Sequence, residues 1–299
     1  MDLAHYAQQY KRFLWCLKLI SQTMPLRFGY PMAALSAHYL SPRRDEKEQV
    51  IQTVEACLGN EGINPEKTWH DFLNHVGATD MNTFLYRHLN QDWLKRHVDI
   101  DSELDIPAAL AEGKGLLLMT YHNHYPHFFA VLLGLMGYKT YLIARDYTTT
   151  PIYPFLEKMA IQYYSDCESH FQGGSYIYVS DNTAMSNMRS IHHALKRGNI
   201  VVSLNDFPNT FAPKRSMTVE FFGRPLTCPI GTVQMALKQG AVIGAGWVRW
   251  IGQDRYHLEI KALDAQGDVD HIMQQYFELL GSLIKTDPSI WEGWRWLNP

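Results

Sequence analysis

Three imidazoles crowd into the run Tyr121-His122-Asn123-His124-Tyr125-Pro126-His127, the densest cluster of reactive side chains in a chain of 299 residues. An apolar run precedes it and a helical pattern follows, so the cluster falls where a buried strand ends. In open α/β sheets, ligands bind at the carboxyl ends of the strands. Two chemistries suit histidines there. One is metal binding: His122, His124 and His127 stand at HxHxxH spacing, with His170, His192 or His193 as later ligands, and alternate residues of an extended chain share a face. The other is acid–base catalysis, in which one imidazole takes a proton from a nucleophile while a partner on its second ring nitrogen holds its orientation. Asp206 and Arg145-Asp146 fall at other predicted strand ends, where they can converge on the same crevice. Blander readings stay open beside these: His127, next to Phe128 and Phe129, suits a packed core, and Asp206 suits the cap of a turn.

From about residue 106, short apolar runs alternate with helical patterns, the signature of βαβ units and a largely parallel sheet. Residues 116–121 read as a strand after Gly113-Lys114-Gly115, 126–136 as a helix stopped at Gly137, and 140–144 as the next strand. Met185, Met188, Ile191 and Leu195 mark a helix stopped by Gly198, and 200–204 is a strand that runs out at Asn205-Asp206. A helix over 232–238 leads through Gly240 to a strand at 241–248, and the turn 252–255 joins it to the alternating Tyr256, Leu258 and Ile260. Met273, Phe277, Leu280 and Ile284 make a closing amphipathic helix that stops at Asp287-Pro288.

Residues 1–105 read as helical. Phe13, Leu17 and Ile20 share one face, flanked by Lys11, Arg12 and Lys18, which suits either a helix packed on its own core or one lying on anionic lipid. The expectation is a single α/β domain over 1–299: a helical N-terminal layer (1–105), a core with a mixed sheet flanked by helices (106–265), and a closing helix and tail (266–299).

Composition narrows the function. With 27 basic against 30 acidic residues, 46% hydrophobic and 19% charged, the chain is neither a disordered tail nor a strongly basic nucleic-acid binder. Cys16, Cys57, Cys167 and Cys228 are scattered, which suits a reducing compartment rather than a disulfide framework. No run reaches the ~18 apolar residues of a spanning helix, and Lys11, Arg12 and Lys18 interrupt any signal-peptide pattern. A cytoplasmic location is expected, with attachment to a membrane surface left open.

The stretch Gly113 to His122, a Gly-rich turn, an apolar strand and then a histidine, resembles the first block of the lipid A biosynthesis (late, lysophospholipid-type) acyltransferase family. Further blocks follow in the family's order: Arg145 at a strand end, Leu195-Lys196-Arg197-Gly198 through Asn205-Asp206, Phe221-Phe222-Gly223 through Thr227-Cys228-Pro229-Ile230-Gly231, Ala236 to Ile243, Arg249, and the tail Pro288 to Trp296. The resemblance implies a glycerolipid-acyltransferase-like fold, peripheral on the cytoplasmic face of the inner membrane. Its activity would move an acyl chain from an acyl-carrier-protein or CoA thioester to a hydroxyl or amine in lipid or polyketide-like lipid biosynthesis, with no cofactor and no nucleic acid involved. His122 would be the base, and Arg145, His124, Phe222, Gly223 and Arg249 would contact substrate.

In the family an Asp or Glu stands five residues after the histidine; here that residue is His127. The implied site therefore takes His127 as a neutral orienter and Asp206 as electrostatic support, with Asp146 as another source of charge. Two rival classes remain. One is a zinc-dependent hydrolase using His122, His124 and His127, whose spacing resembles the metallo-β-lactamase-like HxHxDH motif except for Pro126 at the aspartate position. The other is a non-catalytic acyl-binding relative.

Overall fold

Five helices open the chain: α1 (Leu3–Thr23), α2 (Leu26–Leu40), α3 (Lys47–Leu58), α4 (Pro65–Asn82) and α5 (Gln91–His97). The computed structural model describes every residue except 1–2, 112, 151–152, 180–183, 208–214 and 298–299. The helices form where the pattern placed them, with Phe13, Leu17 and Ile20 of α1 buried against the layer's own core. Asn64 and Asn90 cap α4 and α5, each side chain accepting a backbone N–H of the first turn. The N-terminal layer is not wholly helical, however. β1 (Val98–Ser102) pairs parallel with a strand more than 150 residues later, Val98 opposite Tyr256, and takes an edge of the main sheet. Only Val98 of its five residues is buried, so the segment carries little apolar signal of its own.

The α/β part follows: α6 (Ile106–Ala111), β2 (Leu116–Thr120), α7 (Pro126–Leu135), β3 (Thr140–Arg145), α8 (Tyr153–Glu168), β4 (Tyr176–Val179), α9 (Ala184–Lys196), β5 (Ile200–Leu204), β6 (Ser216–Phe221), β7 (Arg224–Pro229), α10 (Gly231–Gln239), β8 (Val242–Gly252), β9 (Arg255–Ala262) and α11 (Val269–Thr286). Seven strands form a mixed sheet in the order β1-β9-β8-β2-β5-β3-β4, and β6 and β7 form a separate antiparallel hairpin. Within the sheet only β8 and β9 are antiparallel, joined by the tight turn at 252–255. In the helix α9, the side chain of the expected core residue Met185 lies outside the described ones; Ile191 and Leu195 are buried as expected.

All five residues of β2 are buried. Successive strand side chains point to opposite faces, so β2 is covered on both sides, which is why it reads as an unbroken apolar run rather than an alternation. Gly115 immediately precedes it with φ +72, and a Cβ there would stand 2.3 Å from the Leu195 carbonyl oxygen, so the end of α9 crosses too close for any side chain. α7 starts with Pro126 at its first turn, where the missing N–H costs nothing, and it is buried almost all round. One contiguous apolar core runs from Phe13 in α1 to Leu297 in the tail.

Candidate active site

β2 and β5 are parallel neighbours in register, Leu116 opposite Ile200 and Thr120 opposite Leu204. The ladder continues one step past β5, where the Asn205 N–H donates to the carbonyl of Thr120, the last residue of β2, at 3.1 Å. Two residues beyond each strand end, that register sets His122 beside Asp206. The backbone N–H of His122 donates to both carboxylate oxygens at 2.9 Å, and its ring Nδ1 lies 2.8 Å from Oδ1. The Trp291 indole Nε1 donates to Oδ2 at 2.8 Å. A carboxylate only accepts, so in the neutral ring Nδ1 is the protonated nitrogen and Nε2 of His122 keeps its lone pair. Asp206 is completely buried, whereas the His122 side chain is 29% exposed. The ring can be reached from outside while its partner is sealed. Phe207 and Trp296 stand beside it, with ring centroids at 4.9 and 5.3 Å.

The backbone around His122 is held from three directions. Its carbonyl accepts the Glu292 N–H at 2.8 Å, and Asn123 pairs with Trp291 in an isolated antiparallel bridge. The Asn123 side chain donates to the Val248 carbonyl at 3.2 Å and accepts the Tyr125 N–H at 2.7 Å, closing the strand-to-helix turn. Tyr276 of α11 donates to the Thr120 carbonyl at 2.7 Å.

The tail that brings Trp291 is itself clamped. Phe221 meets Trp291 edge-on at 5.4 Å, and Phe222 lies 5.7 Å from Trp294. Phe222 and Gly223 are the two turn residues between β6 and β7, and both have positive φ, 54° and 71°, the left-handed pair that matches strand twist in a two-residue hairpin. This placement of Phe222 costs roughly 1–2 kcal/mol of backbone strain. Its ring packing against the tryptophans offsets that strain. On the other side of the tail, Glu292 pairs with Arg43 at 3.3 Å and with Arg295 at 2.9 Å. Burial pushes the Glu292 carboxyl up, but Arg43, His124 and Arg295 outweigh it and hold it down at about 2.

The three imidazoles of the cluster go to three separate places. His127 does not meet His122 Nδ1; its own Nδ1 pairs with the Tyr176 hydroxyl at 2.9 Å, within the rings of Tyr163, Tyr164 and Tyr176. The orienting contact expected from His127 is thus made by Asp206. Burial, with a smaller contribution from the His122 charge, pushes His127 down to about 4, so it is neutral near pH 7. His124 is buried, stacked on His75 at 5.5 Å and set edge-on to Phe72, with Nε2 on the Ser289 carbonyl at 3.2 Å. Burial pushes it down to about 3. The substrate contact expected of His124 is corrected accordingly: the ring packs the tail onto α4. A shared zinc site for His122, His124 and His127 is ruled out by these diverging partners, and among the described residues no group of His, Cys, Asp and Glu is arranged to hold a metal ion.

Of the other expected residues, Arg145 is the exposed last residue of β3, at the same sheet end as His122. Asp146 accepts from the Thr148 N–H and hydroxyl, capping the turn after β3. Phe222 and Gly223 buttress the tail, as described. Arg249 on β8 is half-buried, with Nη2 3.2 Å from His257 Nδ1. Asn123 stands in the histidine run and Trp291 and Trp296 in the tryptophan-rich tail read from the sequence, whereas Tyr276 and Phe207 carry no such signal. Nothing in the spacing of Trp291 and Trp296 pointed to the strand ends.

No curated protein matches the chain closely enough to count as a relative. A family model does match, that of the bacterial lipid A biosynthesis acyltransferases, over residues 6–299. It covers the strand-end histidine, the Asp206 block, the Phe-Phe-Gly hairpin and the tryptophan tail together, and the chain belongs to that family.

Proposed function

We propose that the protein transfers an acyl group from a thioester, carried on acyl carrier protein or CoA, to a hydroxyl or amine of a lipid or small-molecule acceptor at the cytoplasmic face of a membrane. His122 is the general base and Asp206 the carboxylate that orients it. The observation that carries this reading is the 2.8 Å contact between His122 Nδ1 and a fully buried Asp206, on a ring that is itself partly exposed.

The acceptor's O–H or N–H proton passes to His122 Nε2 as the oxygen or nitrogen attacks the thioester carbonyl carbon. Asp206 accepts from Nδ1–H throughout and stabilises the imidazolium that forms. The tetrahedral intermediate then collapses, the C–S bond breaks, and the departing sulfur takes the proton from Nε2. An ester or amide and a free thiol result. The step needs no metal or organic cofactor. Because Trp291 and the His122 N–H hold the carboxylate from two other sides, little reorganisation accompanies the proton transfer. Arg145, exposed at the same end of the sheet, is assigned to an anionic group of donor or acceptor.

Mass spectrometry of products from purified protein, an acyl-carrier or CoA thioester and a panel of lipid and small-molecule acceptors tests the reading. An acylated acceptor that disappears with His122→Ala supports it, and an unchanged rate in that variant overturns it.

A further inference from the structure

Nine of the twelve large hydrophobic side chains exposed among the described residues lie between Leu3 and Leu40. They are not scattered. On α2, Phe28, Met32, Leu35 and Tyr39 recur at spacings of four, three and four, which sets them along one line of the helix, and all four are exposed, Tyr39 to 68%. On α1, Trp15 (68% exposed) and Leu19 point away from the buried face of Phe13, Leu17 and Ile20. The Cys16–Ser36 contact of 3.8 Å brings Trp15 and Leu35 to adjacent positions on the hairpin, so the two stripes form one surface.

The charge along the hairpin is one-sided. Residues 3–44 contain six Lys or Arg and no Asp or Glu, which leaves all 30 acidic residues and 21 of the 27 basic ones to the rest of an overall acidic chain. Lys11, Arg12, Lys18 and Arg27 are exposed. None of the four is in an ion pair among the described residues, while Arg27 lies over the Phe28 ring at 4.6 Å. No helix of the described residues is long and apolar enough to cross a membrane. An apolar stripe rimmed by unneutralised cations and free of acids is complementary to a surface that is apolar a few ångströms down and anionic on top.

We infer that the exposed face of the α1–α2 hairpin docks on an anionic lipid bilayer, with Trp15, Leu19, Phe28, Met32, Leu35 and Tyr39 entering the headgroup boundary and Lys11, Arg12, Lys18 and Arg27 meeting lipid phosphates. The hairpin is tied to the candidate active site by few steps: Arg43, just past α2, pairs with Glu292, whose N–H holds the His122 carbonyl. The inference deepens the proposed function by naming the surface through which the protein meets a lipid acceptor. It stands on the hairpin alone, so its failure would leave the chemistry of His122 and Asp206 untouched.

Co-sedimentation with vesicles of phosphatidylcholine, with and without phosphatidylglycerol, tests it. The wild-type protein is expected to bind the phosphatidylglycerol vesicles at least about tenfold more tightly, with binding weakened by added salt. F28E/L35E is expected to lower that binding by roughly tenfold or more, and K11E/K18E to erase the preference for phosphatidylglycerol. Both pairs change exposed residues only, and the circular dichroism spectrum and melting temperature report whether each stays folded. If one pair unfolds, the other decides. Binding to neither vesicle, equal binding to both, or self-association of the wild type that F28E/L35E abolishes without any vesicle binding would overturn the inference, the last in favour of a second copy of the chain.

Discussion

His122 and His127 stand five residues apart and share a side chain, yet the fold treats them as opposites. His122 leaves the end of a central strand, gives Nδ1 to a buried carboxylate and keeps part of its ring exposed. His127 sits in the first turn of α7, gives Nδ1 to the Tyr176 hydroxyl and is ringed by tyrosines. Burial around His127 favours the neutral ring, and a phenol cannot stabilise an imidazolium as a carboxylate does. What separates the proposed base from a packing residue here is the partner on the second nitrogen and access to the first. Spacing along the chain decides neither. The carboxylate that the family resemblance implies five residues after the histidine is replaced by His127, and the carboxylate that meets His122 stands two residues past the adjacent strand β5.

The difference can be broken at either ring. The largest effect is expected from His122→Ala: kcat for acyl transfer should fall by ~10³–10⁴ with the fold intact, since general base catalysis is worth that order. A smaller effect is expected from Trp291→Phe, which keeps most of the ring packing but removes one donor to Asp206. Losing a hydrogen bond to a buried charged group costs about 1.5–3 kcal/mol. Steady-state kinetics should show kcat down by roughly tenfold, with KM for the acceptor less affected.

His127→Phe should change kcat by less than about threefold, because the ring acts only through packing. Its signature belongs in stability. The folded ring titrates at about 4, below the ~6.5 of an unfolded histidine, so the unfolded chain binds the extra proton between those values. Stability is therefore full above about pH 6.5 and is lost as pH falls toward 4, by about 2 kcal/mol at pH 5. His124, pushed down to about 3, acts in the same sense. Asp80, raised to about 6 chiefly by burial, acts in the opposite one, its contribution declining as pH rises from about 4 to 6. Thermal melts across pH 4 to 8 should show a shallower acid limb in His127→Phe than in the wild type. An unchanged limb would mean that the His127 ring takes up its proton without penalty.

Much of this arrangement was legible in the chain. β5 runs over the expected residues, β2 ends one residue earlier than expected, and α10 and α11 bracket the predicted helices. Continuous burial and regular amphipathic spacing are local signals, and these elements carry them. β1 escaped because only its first residue is buried and its pairing lies far along the chain. His122 and Asp206 were each recognisable as strand-end residues, and Asp206 as a source of charge for His122, but the direct Nδ1 contact, expected of His127, was not legible. That contact depends on β2 and β5 being neighbours with matched ends, a register that exists only once the sheet is assembled. The third member was harder still. Trp291 reaches Asp206 across 85 residues, through a tail whose position is fixed by the Phe221–Phe222 hairpin on one side and Arg43 on the other.

The pairing of the strand-end imidazole with the β5 carboxylate is tested most directly by a double-mutant cycle between His122→Ala and Asp206→Asn, read as kcat with melting temperature as the control for folding. Groups that act as one unit are strongly non-additive. Asp206→Asn alone should lower kcat by ~10³–10⁴ and should cost almost nothing further in the His122→Ala background. Two losses that multiply, or an Asp206→Asn protein that stays folded and as active as the wild type, would contradict the account.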